Sequence, residues 1–155
     1  MRIDRAKQDF ERIRTEPRTL PLRIKVSARA KILDGTSFEQ SGAIYVLAEA
    51  IAPGANRLCR APDGERTACG LRARVALKRL VSNRTLDCKE LTSFARVRLV
   101  SCSVQEKDLA KTLVRAGLAW SATADLFSEQ QEAMSTRSGI WIDAGCVALR
   151  RCPKD

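Results

Sequence analysis

Three groups of residues in this chain could do chemistry. The run ILDGTSF, residues 32–38, carries Asp34 and Gly35 into a turn and follows them with two hydroxyls, Thr36 and Ser37. A carboxylate at such a turn offers a hard oxygen donor of the kind divalent cations take, and polar residues follow where a second carboxylate would complete the site. The second group is six cysteines, Cys59, Cys69, Cys88, Cys102, Cys146 and Cys152. With no histidine and no Cys-x-x-Cys pair, a zinc site would be all-thiolate and oddly spaced, so the even count points to disulfides, with buried thiols as the plainer alternative. The third group is Arg72, Arg74, Lys78 and Arg79, either a phosphate-facing patch or a solvated helix face.

Totals narrow the classes. A chain of 155 residues, 45% hydrophobic and 30% charged, is long enough to bury one core and too apolar to be disordered. Its 28 Lys and Arg against 18 Asp and Glu leave +10, which favours polyanionic partners such as nucleic acid or an anionic membrane surface. Over half of that excess sits in residues 1–31, with ten basic and four acidic side chains. No run approaches the ~20 apolar residues of a membrane span. Residues 1–20 lack the apolar stretch of a secretory leader. Disulfides nevertheless imply an oxidising compartment, so the expectation is a periplasmic or secreted protein whose leader or anchor is absent from this chain.

The elements that must position these groups follow from periodicity. Residues 1–21 read as a basic extension, with a charged helix over 1–16 ended by Pro17 and Pro21. Alternation and β-branching predict strands over 22–33 and 43–51, the latter entered through a Ser41-Gly42 turn. Residues 53–70 hold two prolines and three glycines without a hydrophobic period, and read as a long loop. Ala73, Ala76, Leu77 and Leu80 predict a helix over 71–82. Strands are expected over 84–90 and 95–104. A second helix opens at Asp108 as N-cap and stops at Gly117, and a third opens at Ser128, with Gln131 completing a capping box, and ends at Gly139. The order is strands, helix, strands, helix, helix. Leu109, Leu113 and Trp120 belong in the core by their spacing, and Trp141 is expected to plug the end of the fold.

Several of these segments resemble the staphylococcal nuclease-like, or thermonuclease, family. DLAKTLVRAGLAW (108–120) is similar to the family's Asp-Leu…Leu-Val-Arg-x-Gly-Leu-Ala helix, SGIW (138–141) to its closing Gly-Ile/Leu-Trp, and CGLRARVALKRLV (69–81) to its first helix. The resemblance covers roughly 26–141 and implies a mainly β, α+β fold, a five-stranded OB-fold barrel with three helices. The nuclease-like domain would occupy 22–142, followed by a tail over 143–155. The cysteine placement resembles a secreted bacterial subgroup. Cys59 with Cys69 would staple the loop, Cys88 with Cys102 would cross-link strands, and Cys146 with Cys152 would pin the tail, although sequence leaves other pairings open.

The resemblance also locates a catalytic constellation, most of which is substituted. In the family an Asp-Gly-Asp-Thr turn supplies a calcium carboxylate at its second Asp. DGTS here puts Thr36 at that place, leaving Asp34 as the turn's only carboxylate. The family's Asp-Ala/Thr-Pro-Glu motif supplies a second calcium ligand and the water-activating Glu, but IYVLAEAIAPG places Ile51 and Gly54 there, with Val46 or Tyr45 at the transition-state Arg. Glu49 is the remaining carboxylate, two residues before Ile51 on the same expected strand face. Arg96 or Arg98 falls near the family's second Arg. Loss of one preorganised donor typically costs ~10²–10³ in rate. The expectation is therefore a non-catalytic binding or scaffolding module for a protein or nucleic acid, with no cofactor. The alternative is a divergent, Ca²⁺- or other metal-dependent nuclease cleaving DNA or RNA through Asp34, Thr36, Glu49 and Arg96 or Arg98. Aromatics make up only 5% of the chain, a poor supply of stacking surfaces for single strands.

Overall fold

A computed structural model describes residues 19–154, so the charged helix expected over 1–16 lies outside the described residues. The strands are β1 (Leu20–Lys25), β2 (Lys31–Asp34), β3 (Ser37–Gln40), β4 (Ala43–Leu47), β5 (Ala50–Ile51), β6 (Cys59–Arg60), β7 (Arg66–Thr67), β8 (Thr85–Phe94), β9 (Val97–Val104), β10 (Lys107–Asp108) and β11 (Trp120–Ser121). Among the described residues four α-helices are interspersed, α1 (Cys69–Val81), α2 (Leu109–Arg115), α3 (Phe127–Ser135) and α4 (Ala144–Leu149).

The main sheet runs β1-β8-β9-β4-β3-β2, with β10 added to β9, and every pairing is antiparallel except β4 with β9. Side chains of one face meet across it, Leu22 opposite Cys88 and Cys88 opposite Cys102. The sequence predicts a single strand over 22–33. The structure instead breaks it at residues 26–30, and its two halves pair with opposite ends of the sheet, which curls the sheet round into the OB fold. Gln40 braces the break: its Oε1 accepts from the Ser27 N–H at 2.7 Å and its Nε2 donates to the Lys25 carbonyl at 2.9 Å. Val26, 1% exposed, turns inward at the corner.

Inside lie Ile24, Ile32, Phe38, Leu47, Leu86 and Val100, covered by Leu77 and Val81 of α1 and by Leu109 and Leu113 of α2. α1 begins two residues before its expected start because Cys69 and Gly70 are buried with Ala73, Leu77 and Val81 along one stripe. α2 matches its expected caps. Asp108 Oδ1 accepts from the Lys111 N–H at 2.9 Å, and Gly117 takes φ +75°, letting the Leu118 N–H return to the Leu113 carbonyl at 3.0 Å. A Cβ at Gly117 would also lie 2.2 Å from the Ser138 carbonyl oxygen, so a side chain is excluded twice over.

Three expectations give way. α3 starts at Phe127 without a side-chain cap, because a 3₁₀ turn over Ala124–Leu126 runs straight into it, and Ser128 bonds Glu129 instead of closing a capping box. The helix ends at Ser135, not Gly139, since Arg137 adopts φ +53° and the Ser138 N–H closes onto the Ala133 carbonyl at 3.0 Å. Trp141 does not plug the barrel. It is buried in a second, smaller core with Ile140, Ala133, Cys59, Cys69, Cys146 and Cys152, against which Trp120 is only partly buried.

Three disulfides join Cys59 to Cys69, Cys88 to Cys102 and Cys146 to Cys152. The loop over 53–70 is stapled, as expected, but also contains the β6-β7 hairpin. The tail holds α4, capped by Asp143, whose Oδ1 accepts from the Gly145 N–H at 2.8 Å. The sulphurs of Cys59, Cys146 and Cys152 all lie within 4.8 Å of one another. No helix among the described residues is long and apolar enough to cross a membrane.

The disulfide at Cys88 and Cys102 links directly opposed residues of the two longest strands, Cα to Cα 4.0 Å. Replacing both with Ala is expected to lower unfolding stability by about 2–4 kcal/mol in urea titrations. An unchanged midpoint would show that the pairing contributes nothing there.

Candidate functional site

The bend between β2 and β3 is built around one carboxylate oxygen. Asp34 Oδ1 accepts from the Thr36 N–H at 2.8 Å, from Thr36 Oγ1 at 3.2 Å and from Ser37 Oγ at 2.9 Å. Short polar side chains at turns characteristically bracket their own backbone in this way. Thr36 is 4% exposed, and Gly35 is pressed against α1 so closely that a Cβ there would come 2.7 Å from Ala73 Cβ and 3.0 Å from Ala52 Cβ. From the same helix, Arg74 Nε donates to the Ile32 carbonyl at 2.8 Å. The bend is thus clamped from outside by α1 and from inside by Asp34.

Those donors do not fit a Ca²⁺ ion. Calcium takes ~6–8 oxygens, whereas one Asp34 oxygen is occupied by three donors and Thr36 is buried with its hydroxyl turned to Asp34. Ile51, where the resemblance places the second carboxylate, is a half-exposed aliphatic paired with Trp120 across β5 and β11. Gly54, at the place of the water-activating Glu, has no side chain.

The other candidates are engaged elsewhere. The run 43–51 is not one strand but breaks at Ala48 and Glu49, so Glu49 does not share a continuous strand face with Ile51. Its carboxyl accepts from Ser101 and stands near Asp108 and Asp125, while its carbonyl accepts from the Ala122 N–H at 2.8 Å. Burial above all, and then those two carboxylates, push the Glu49 pKa above its ordinary value, against the lowering effect of Ser101. Arg96 Nη1 lies 3.4 Å from Glu39 Oε1, and Arg98 Nη1 lies 3.1 Å from Glu90 Oε1. Arg98 stands opposite Tyr45, whose ring stacks on Phe38 at 5.1 Å between centroids. The structure therefore joins Asp34 with Thr36 alone and gives Glu49, Arg96 and Arg98 three separate partners.

Arg72, Arg74, Lys78 and Arg79 all lie on the exposed side of α1, around a partly exposed ridge of Leu71 and Val75. The helix contains no acidic residue. Sequence reasoning missed Asp143. Its Oδ2 accepts from the Arg60 N–H at 2.9 Å, tying the start of α4 to the β6-β7 loop. Burial would raise its pKa, but the N–H groups of Arg60, Gly145 and Cys146 and the charge of Arg57 outweigh that and hold the carboxyl below its ordinary value. The available signal was Asp143 standing just before a short apolar run, as an N-cap does.

Glu49 generates a pH-dependent expectation. Its raised pKa means that the stability tied to the neutral carboxyl is present below the ordinary value of 4.5 and lost as pH rises through the folded value. Glu49→Gln should therefore raise the melting temperature at about pH 7 and leave it nearly unchanged at about pH 3, where the parent carboxyl is protonated in both states. An equal shift at both pH values would mean that charge is not the cause.

A family model described as staphylococcal nuclease homologue matches residues 54–143. The comparison with curated proteins finds no match. The matched segment holds α1, β8, β9, α2, α3 and the closing Gly139–Trp141, along with Arg96 and Arg98, while Asp34, Thr36 and Glu49 precede it. With more than half of its length matched and a sheet and helices in the order that this fold requires, the chain belongs to the staphylococcal nuclease homologue family.

Proposed function

We propose that this chain is a non-catalytic member of its family, acting as a binding or scaffolding module in the periplasm or outside the cell, without a metal cofactor. The observation that carries this reading is the Asp34 bend, where the carboxylate best placed to hold a cation is committed to three donors of its own hairpin. Metal-assisted phosphodiester hydrolysis needs an ion held by carboxylates, donors aimed at the charge-gaining oxygens and a group to orient water. Ile51 and Gly54 offer neither ligand nor base, and Arg98 is neutralised by Glu90. The three disulfides support an oxidising location.

The basic side of α1 is the natural contact for a polyanion, and a protein partner with an acidic face would satisfy the same charges. Digestion of plasmid and single-stranded DNA and RNA with Ca²⁺, Mg²⁺ or Mn²⁺ is expected to show no cleavage above a protein-free blank. Metal-dependent cleavage that disappears in Asp34→Ala would overturn the reading in favour of a divergent nuclease. If α1 meets nucleic acid, its four cations should give a log–log salt slope of about −3 for a single strand, flattened in Arg72→Glu with Arg79→Glu. Binding that is absent or insensitive to salt would leave a protein as the partner.

A further inference from the structure

A groove of about 790 Å³ lies between the loop after β5 and the tail after α4. That volume is in the range, roughly 300–1,000 Å³, of sites that enclose a small ligand or a few side chains. Its walls are mainly aliphatic: Ile51 and Pro53 on one side, Leu149 and Pro153 on the other, with Trp120 contributing a ring. Ile51 and Leu149, 46% and 53% exposed, stand together in this groove, so their apolar surface is contiguous and not scattered.

Covalent and hydrogen-bonded ties hold the walls in place. Cys152 is joined to Cys146, Arg57 Nη1 donates to the Pro153 carbonyl, and the Arg57 N–H donates to the Gly54 carbonyl at 2.9 Å. A groove already shaped before binding avoids much of the ordering cost that a flexible tail would impose.

Its charge is one-sided. Arg151 and Lys154 stand on the tail wall, no Asp or Glu lines the groove, and among the described residues neither cation has an ion-pair partner. Asp143, the acid at the start of α4, accepts from the N–H groups of Arg60 and Gly145.

We propose that this groove takes an acidic peptide segment of a partner protein, an aliphatic side chain seated against Ile51, Trp120 and Leu149 while flanking carboxylates meet Arg151 and Lys154. The proposal rests on the binding-module reading above and names the partner and its place. A peptide fits better than a single-stranded nucleic acid, because bases need successive aromatic platforms and this groove holds one ring among aliphatic walls. Apolar anchors ringed by charge suit a peptide in which both kinds of side chain alternate.

The probe is a fluorescein-labelled peptide of alternating Glu and Leu, compared with its Lys-and-Leu counterpart and a labelled oligothymidylate. Saturable anisotropy is expected for the acidic peptide and not for the basic one. A change in indole fluorescence should accompany it, assignable to Trp120 because Trp141 is 1% exposed in the second core. Arg151→Glu with Lys154→Glu should weaken binding about tenfold or more while leaving the melting temperature in place, and Leu149→Ser should weaken it independently of charge. Absence of saturable binding, equal binding of the basic peptide, or affinity untouched by charge reversal would overturn the proposal. Oligothymidylate binding that is lost on the same reversal would assign the groove to nucleic acid instead. Failure here without nucleic-acid digestion removes only the groove's role, whereas metal-dependent cleavage removes the non-catalytic reading whatever the peptide does.

Discussion

The fold depends on one break in one strand. At residues 26–30 the chain leaves β1, turns the Val26 side chain into the core and resumes as β2, so a single run of sequence supplies both edges of the main sheet. Unpaired strand edges are prone to pairing with other chains, and here both belong to one short segment, β1 and β2 on either side of the break. The Gln40 side chain holds the corner because its amide can accept and donate at once, meeting Ser27 and Lys25 on either side of the break. An Ala at 40 would leave both backbone groups to water.

The same closure sets the position of the Asp34 bend. β2 is short because α1 lies across its end, and the close approach of Gly35 to Ala73 leaves the bend no room to open. Such a turn is stiffened when a side chain holds its backbone, as Asp34 does by accepting from the Thr36 N–H, while the Thr36 and Ser37 hydroxyls donate to the same oxygen and fix the carboxylate in place. At this bend Asp34 serves the architecture, one of its oxygens accepting from three donors of its own hairpin.

Local signals were legible in the sequence and long-range ones were not. Asp108 and Gly117 were readable because a cap is decided by neighbours three or four residues away. Ser128 carried the same signal and misled, since the 3₁₀ turn before it supplies the first turn of α3 by continuity. Arg137 went unseen as a helix end because a left-handed arginine has no sequence mark comparable to glycine. The break in the first strand was hidden because alternation continues through it, and only pairing with opposite edges reveals the bend. In the candidate site the losses at 36, 51 and 54 were visible as residue types. The partner of Arg98 was not, because Glu90 lies on the neighbouring strand opposite Val100, and no spacing within one strand encodes its register against the next.

The second core has a kinetic consequence during oxidation of the newly made chain. Disulfides reshuffle when a thiolate attacks a sulphur within reach, and Cys59, Cys146 and Cys152 are mutually within 4.8 Å once the loop and tail have met. Cys146 can find Cys152 across a separation of only 6 residues, before any tertiary structure exists, while Cys59 and Cys69 need the β6-β7 turn between them. A loop still reduced when the tail docks would bring the Cys59 thiol alongside an already closed bridge, where exchange could lock the tail to the wrong partner. Correct maturation therefore favours closing the hairpin's bridge before the tail arrives, an order that agrees with synthesis from the amino terminus.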